Sequence, residues 1–359
     1  MSCTRRPVLP DLPELEAAAA VVRVPLTVRF RGVTEREALL LRGPAGWGEF
    51  APFLEYDDAE SSRWLASAVE AAWEGFPAPV RERVPVNATV PAVPAGRVPE
   101  VLAAFGPVTA VKVKVAEAGQ SIADDVGRVA AVREVLPDAA LRVDANGGWS
   151  VPEAVEALGQ LEPFGLEYAE QPVPGINGLA EVRALLEARG TPVRIAADEA
   201  VRKAEDPLRV ARAGAADLIV VKAAPLGGVR RALEIVREAG LPAVVSSALD
   251  TSVGLAAGVA LAAALPQLPY ACGLGTGALL AHDVVRSPLV PEGGYLPAGA
   301  ELARRSEPDP ELLARFAVEA ERRRWWIERL RRCHAVLAAR EPGRGGESRA
   351  DSDGGHTGA

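Results

Sequence analysis

From about residue 86 to residue 275 the chain repeats one pattern: a short apolar run rich in β-branched residues, a loop, then a stretch with apolar residues every three or four positions. The runs begin at Val86 (VNATVPA), Ala110 (AVKVKV), Leu141 (LRVDANG), Leu166 (LEYAEQP), Arg194 (RIAADEA), Leu218 (LIVVKA), Ala243 (AVVSSA) and Tyr270 (YACGL). Helical faces lie between them. Ile122, Val126, Val129, Val132 and Leu136 share one side of a helix, and Ser150 and Glu153 have the spacing of a capping box. Strands alternating with helices in this way predict a parallel sheet with crossover helices, and eight strands close naturally into a barrel. The competing arrangement, an open doubly wound sheet, lacks its usual signals: no GxGxxG follows the first strand and no P-loop occurs.

Upstream, VRVPLTVRFRG and EREALLLRG alternate like hairpin strands and DAESSRWLASAVEAAWEG reads as a helix, giving a small α+β unit. Downstream, residues 309–338 predict one long Arg-rich helix whose basic face is expected in solvent, with a binding role as the lesser reading. The last twenty or so residues are rich in Gly, Ser and charge, a composition that predicts disorder.

Charge narrows the function. The net charge of −8 argues against a general nucleic-acid binder. Three widely spaced cysteines, Cys3, Cys272 and Cys333, fit neither a disulfide framework nor a thiolate metal site. No apolar run of roughly 18 residues offers a membrane span, and the N-terminus does not read as a secretion signal. The expectation is a cytoplasmic, unprocessed protein, monomer or homo-oligomer, acting on a small molecule without membrane or nucleic-acid partners.

Among 40 basic residues only four are lysine: Lys112, Lys114, Lys203 and Lys222. Lys112 and Lys114, two apart on a strand, share a face. Facing outward they would be buried against the helix layer; facing inward at the strand's C-terminal end they reach the rim where barrels keep their chemistry. Lys222 holds the equivalent place four strands on. Asp144, Glu170 and Asp198 fall near the ends of the three strands between, so that each step from Lys114 to Lys222 spans 24 to 30 residues, one strand-helix unit. One such charge alone is explained by contact with solvent at a strand end. Five in register are not, because a barrel interior is costly for an unpaired charge. Three carboxylates without a neighbouring His or Cys suit a hard cation, Mg2+ first and Mn2+ as an alternative. The histidines His282, His334 and His356 lie outside these strand ends. Lysine can act as a base where arginine cannot, and nearby positive charge brings it toward neutrality. Lys203, beyond a strand, reads as a surface lysine.

Lys112-Val-Lys114, Asp144-Ala-Asn146, Glu170, Asp198-Glu199 and Lys222 resemble the KxK, DxN, E, DE and K pattern of the enolase superfamily, muconate-lactonizing subgroup. The resemblance covers roughly residues 20–335. It implies an α/β fold, a (β/α)7β TIM-like barrel with an N-terminal α+β capping domain, divided as 1–85 cap, 86–290 barrel, 291–339 a C-terminal segment and helix returning to the cap, and 340–359 a disordered tail. Fragments such as GWGEFAPFLEY, VVSSALDTSVG and CGLGTG are most similar to an actinobacterial branch that dehydrates 2-succinyl-6-hydroxy-2,4-cyclohexadiene-1-carboxylate to o-succinylbenzoate for menaquinone synthesis. Carried onto this chain, the resemblance implies that Lys114 removes the proton α to the carboxylate and then helps the hydroxide leave. Lys222 stays cationic opposite, and Asp144, Glu170 and Asp198 hold Mg2+ against the substrate carboxylate. Lys112 is expected at the substrate, with Asn146 and Glu199 one layer behind. Ser246 and Ser247 either cap the strand end or touch the succinyl group. Cap loops around Gly32–Thr34 and Pro52–Tyr56 are expected to close over the substrate, with Phe53 as the contact.

Other readings stay open. An N-acylamino acid racemase or related cycloisomerase would use the same metal ligands with Lys114 and Lys222 as opposed bases. A metal-free Schiff-base lyase would leave three carboxylates unexplained, a binding scaffold would not need the acid-base set, and a mandelate-type racemase would need a His where strand seven reads AVVSSA.

Overall fold

A computed structural model describes the backbone of residues 9–30, 33–201 and 206–340. Cys3, Gly32, Lys203, His356 and residues 341–359 lie outside the described residues.

The alternating N-terminal segments pair as an antiparallel sheet. After α1 (Leu12–Ala17) come β1 (Ala19–Phe30), β2 (Val33–Gly43) and β3 (Gly46–Phe50), in the order β1-β2-β3. Strand β3 is an addition to the expected hairpin: GWGEF is short and glycine-containing, and sequence gives it little strand signal. Helix α2 (Asp58–Val69) packs on this sheet. It starts at Asp57, whose carboxylate accepts from the Glu60 N–H at 2.7 Å.

The repeated pattern then folds as expected. β4 (Arg83–Pro85) leads into β5 (Ala88–Val90), α3 (Val98–Ala103), β6 (Ala110–Lys114), α4 (Ile122–Val135), β7 (Ala140–Asp144), α5 (Val151–Leu161), β8 (Leu166–Glu170) and α6 (Gly175–Arg189). There follow β9 (Ile195–Ala197), α7 (Asp206–Arg212), β10 (Leu218–Val221), α8 (Ala223–Leu226), α9 (Val229–Ala239), β11 (Ala243–Val245) and α10 (Ser252–Ala264). Strands β5 to β11 are parallel and adjacent in chain order. The eighth run, YACGL, is not a full strand. Single parallel bridges from Val86 to Cys272 and from Ser246 to Gly273 close the ring through it. Two apolar clusters mark the two faces of this wall. Val111, Val113, Val143, Ala169, Ala197 and Val221 pack outward with the helices, while Tyr168, Ala196, Leu218, Val220 and Val244 fill the interior.

The C-terminal region differs from expectation in two ways. After β12 (Tyr295–Pro297), which pairs with β4, and α11 (Gly299–Arg305), the single long helix is two: α12 (Pro310–Arg315) and α13 (Ala320–Ala339). Between them Ala317 bridges Val22, the Arg23 N–H donates to the Phe316 carbonyl at 2.8 Å and the Val318 N–H to that of Val21 at 3.1 Å. The open edge of β1 offers unpaired backbone groups, and satisfying them outweighs continuing the helix. The basic face of α13 is also not simply solvated. Arg329 is buried in the cap, and Arg322, Arg331 and Arg332 pair with Glu37, Glu16 and Asp58 of the N-terminal unit.

Two buried glutamates join cap to barrel. Glu49 of β3 accepts from the N–H groups of Thr251 and Gly254 and from the Thr251 hydroxyl at the start of α10, where Asp283 takes the Ser252 N–H. Glu70, just past α2, accepts from the Arg230 N–H at 3.1 Å at the start of α9. Carboxylates at helix N-termini meet both unpaired donors and the positive end of the helix dipole. Room for them comes from glycine: a β-carbon on Gly228 would stand 1.8 Å from the Glu70 carboxylate, and one on Gly254 2.7 Å from that of Glu49. Gly228→Ala, at φ +118, should therefore lower unfolding stability by about 2 kcal/mol, measured by urea denaturation; an unchanged midpoint would show that Glu70 is not seated there.

Candidate active site

Side chains alternate along a strand, so the residues in step with the interior cluster also point inward at the C-terminal rim. Tyr168 and Ala196 are followed two positions on by Glu170 and Asp198, and Val220 by Lys222. Together with Lys112, Lys114 and Asp144 these complete the predicted charged set: Lys112, Lys114, Asp144 and Glu170 form one ion network, and Lys222 and Asp198 form a pair on the same rim. The Lys112 ammonium lies 2.9 and 3.0 Å from the two oxygens of Glu170 and 3.0 Å from Asp144 Oδ2. Lys114 donates to the same Asp144 oxygen at 2.6 Å and to Asn146 Oδ1 at 2.6 Å. Across the mouth Lys222 pairs with Asp198. The two outer lysines keep partial access to solvent, with side chains 20% and 18% exposed, whereas Asp144 and Glu170 are 1% exposed.

Burial governs the titration of these groups. It would raise Asp144, but Lys112 and Lys114 outweigh it and hold that carboxyl below the ordinary range. The same contest at Asp198 is decided by Lys222, again downward. Glu170 goes the other way, pushed up to about 8 by burial with Asp144 and Asp198 adding to it. One ammonium shared between two carboxylates does not offset that desolvation. Lys112 in turn is held above the lysine range, its burial outweighed by Asp144 and Glu170.

The three carboxyls are oxygen donors presented from adjacent strands, Asp144 and Glu170 sharing the Lys112 ammonium. Such a set fits a divalent cation. Among the described residues no three His, Cys, Asp or Glu side chains form a ready cage, and the ammonium groups of Lys112, Lys114 and Lys222 engage the carboxylate oxygens.

Behind the network, Asn146 passes the contact on: its amide donates to Glu199 Oε1 at 3.1 Å while its own N–H donates to Asp144 Oδ1 at 3.1 Å. Gln171 is a residue that sequence reasoning missed. Fully buried, it donates to the Val173 carbonyl, and its side-chain oxygen accepts from the Asp198 and Ala200 N–H groups at 3.0 and 3.1 Å, fixing the turn that presents Asp198. The available signal was an amide residue directly after Glu170 at a strand end. Among the described residues, the non-glycine residues with positive φ, Ala116, Asn146, Gln171 and Leu249, all lie in turns just beyond barrel strand ends, a concentration of strain typical of functional rims.

Ser246 and Ser247 sit at the rim after β11. Both hydroxyls lie within hydrogen-bonding reach of the Gly273 carbonyl, and Ser247 also meets Thr276 Oγ1 at 2.7 Å, so here they tie strand seven to the closing segment. Phe53 is buried in the cap with Tyr56 and Trp64 edge-on to it. That cluster is packed against by Ala224, two residues past Lys222, and by Ala248, next to Ser247.

Residues 96–302 match the enolase C-terminal domain-like family and residues 21–72 the enolase N-terminal domain-like family. The chain is 54% identical over 330 residues to the o-succinylbenzoate synthase of Mycolicibacterium smegmatis, covering 92% of this chain and 99% of that one. To the o-succinylbenzoate synthase of Mycobacterium tuberculosis it is 53% identical over 332 residues, with 92% and 98% covered. The chain belongs to the o-succinylbenzoate synthase family of the enolase superfamily. Muconate lactonizing enzyme from Pseudomonas putida superposes with a TM-score of 0.68 at 23% identity, over 84% of this chain and 98% of that one. Muconate cycloisomerase from Pseudomonas fluorescens does so with a TM-score of 0.69 at 22% identity and the same coverage. That likeness shows the fold, a (β/α)7β barrel beneath an α+β cap. Enolase-superfamily enzymes generally use a divalent metal such as Mg2+.

The turn held by Gln171 presents the Asp198 carboxylate to the rim. Gln171→Leu should weaken Mn2+ binding 10- to 100-fold by calorimetric titration, the usual cost of losing a group behind a ligand. Unchanged affinity would remove Gln171 from the site.

Proposed function

We propose that this protein dehydrates 2-succinyl-6-hydroxy-2,4-cyclohexadiene-1-carboxylate to o-succinylbenzoate, a step of menaquinone biosynthesis, using Lys114 and Lys222 as an opposed pair across Asp144, Glu170 and Asp198. The observation that carries the reading is that one lysine is anchored to Asp144 and Asn146 and another to Asp198, at the ends of strands that flank the three carboxylates.

Lys114, in its neutral form, takes the proton α to the substrate carboxylate; the C–H electrons move onto that carboxylate and a dianion develops. The same ammonium then returns the proton to the departing hydroxyl on the same face, so the C–O bond breaks, water leaves and the ring becomes aromatic. Asn146 keeps the Lys114 amine aimed, and Lys222 places a fixed positive charge on the opposite side. Lys112 holds Asp144 and Glu170 in position from below. Asp144, Glu170 and Asp198 would hold Mg2+ or Mn2+, which when bound supplies Lewis-acid stabilisation of the substrate carboxylate. Phe53, Ser246 and Ser247 are read as the wall around the succinyl arm.

The paired lysines, each with its own aspartate, also suit exchange of an α-proton from either face, as in an N-acylamino acid racemase. A cytoplasmic setting accords with the buried Cys272 and Cys333 remaining free thiols. Among the described residues no helix is long and apolar enough to cross a membrane.

Turnover of the hydroxycyclohexadiene carboxylate with Mg2+ should be lost with EDTA and should fall about 1,000-fold or more in Lys114→Arg, which keeps the charge but cannot accept a proton. No turnover by folded, Mg2+-supplied protein would overturn the dehydration, and deuterium uptake by an N-acylamino acid in the same preparation would then point to racemisation.

A further inference from the structure

The segment Ala51–Tyr56 joins β3 to α2 and carries Phe53, yet it has no sheet partner for its carbonyls. Loops of this kind are ordinarily mobile, which is why closure over a substrate is the natural expectation. Here two buried guanidinium groups take up four of those carbonyls. Arg329 of α13, 2% exposed, donates to Pro52 at 3.3 Å, to Phe53 at 2.8 Å and to Tyr56 at 2.9 Å, and also to the Ser61 hydroxyl at 2.9 Å. Arg36 of β2, 4% exposed, donates to the Ala51 carbonyl, and its guanidinium lies 4.5 Å from the centre of the Phe53 ring. The same Arg36 fork crosses to the barrel, donating to Leu249 at 3.0 Å and reaching Ala248 at 3.5 Å. That turn follows Ser246 and Ser247, and Leu249 is held there at φ +63.

We infer that Arg36 and Arg329 are positioning residues that clamp Ala51–Tyr56 as a fixed wall, and that Arg36 welds this wall to the turn after strand seven so that both sides of the mouth form one preset body. Neither touches a reacting atom. A guanidinium is suited to the task because its planar fork serves several acceptors at once, whereas a lysine in its place can satisfy fewer of them in fixed directions. Preset walls bind substrate without an ordering cost at each encounter, so loosening them raises KM before it touches the proton-transfer step. The inference about KM rests on the dehydration proposed above; the inference about the clamp does not.

The test uses the full-length protein with Arg36→Lys and Arg329→Lys, and Arg36→Gln as the harsher variant. Amide hydrogen exchange in the resting protein should be about tenfold faster or more in residues 50–56 for both lysine variants, and faster in residues 246–250 only when Arg36 is changed. With Mg2+, KM for the hydroxycyclohexadiene carboxylate should rise about tenfold in Arg36→Lys while kcat stays within about threefold and the pH profile of kcat is unmoved. Exchange unchanged in both segments would overturn the clamp, and a lowered melting temperature with exchange and KM unchanged would reduce both arginines to general stabilisers. If Arg36→Gln fails to fold, Arg36→Lys carries the test. Absence of turnover by the wild type would refute the dehydration, and the exchange pattern alone would still decide the clamp.

Discussion

Six ionisable side chains, three lysines and three carboxyls, meet inside the barrel rim, where a charge on any one of them alone would cost several kcal/mol. Each is tolerable only because of the others, and this mutual dependence dictates much of the surrounding architecture. Lysines must stand on strands that flank the carboxylates. The turns after those strands must hold their presented groups rigidly, and Asn146 and Gln171 do so by hydrogen bonds to the backbone and to neighbouring side chains. The strained φ angles beyond the strand ends are the local consequence.

The cap serves the same constraint from above. Glu49 and Glu70 place carboxylates at the N-termini of α10 and α9, and Arg36 and Arg329 deliver guanidinium groups to backbone carbonyls on the cap side of the seam. Glu49, Glu70 and Arg36 set buried polar groups against backbone groups across the seam, so the cap is fixed to the barrel by directional bonds as well as by apolar packing. A site whose chemistry depends on excluding water gains from such a seam, because the groups that develop charge during reaction meet few competing solvent dipoles.

The sequence made the inner tier legible for a physical reason. Strand period two and the regular strand-helix unit together force Lys112, Lys114, Asp144, Glu170, Asp198 and Lys222 onto one rim, and scarcity of lysine made three of them conspicuous. What stayed hidden depends on partners distant in the chain. Gln171 matters because of two N–H groups 27 and 29 residues away, and Arg329 because of carbonyls more than 270 residues away. The break between α12 and α13 likewise answers to the edge of β1 and not to its own residues. Strand β3 and the bridged eighth segment are too short to announce themselves by periodicity.

The most direct test of the charge network is where a cation settles in it. Anomalous diffraction from Mn2+-loaded crystals should place the metal about 2.1 Å from oxygens of Asp144, Glu170 and Asp198, with the Lys112 and Lys222 ammonium groups drawn back from those oxygens and Lys114 facing Lys222 across the ion. A metal bound elsewhere, or none bound while the lysines keep their present ion pairs, would contradict the reading of these carboxylates as its ligands.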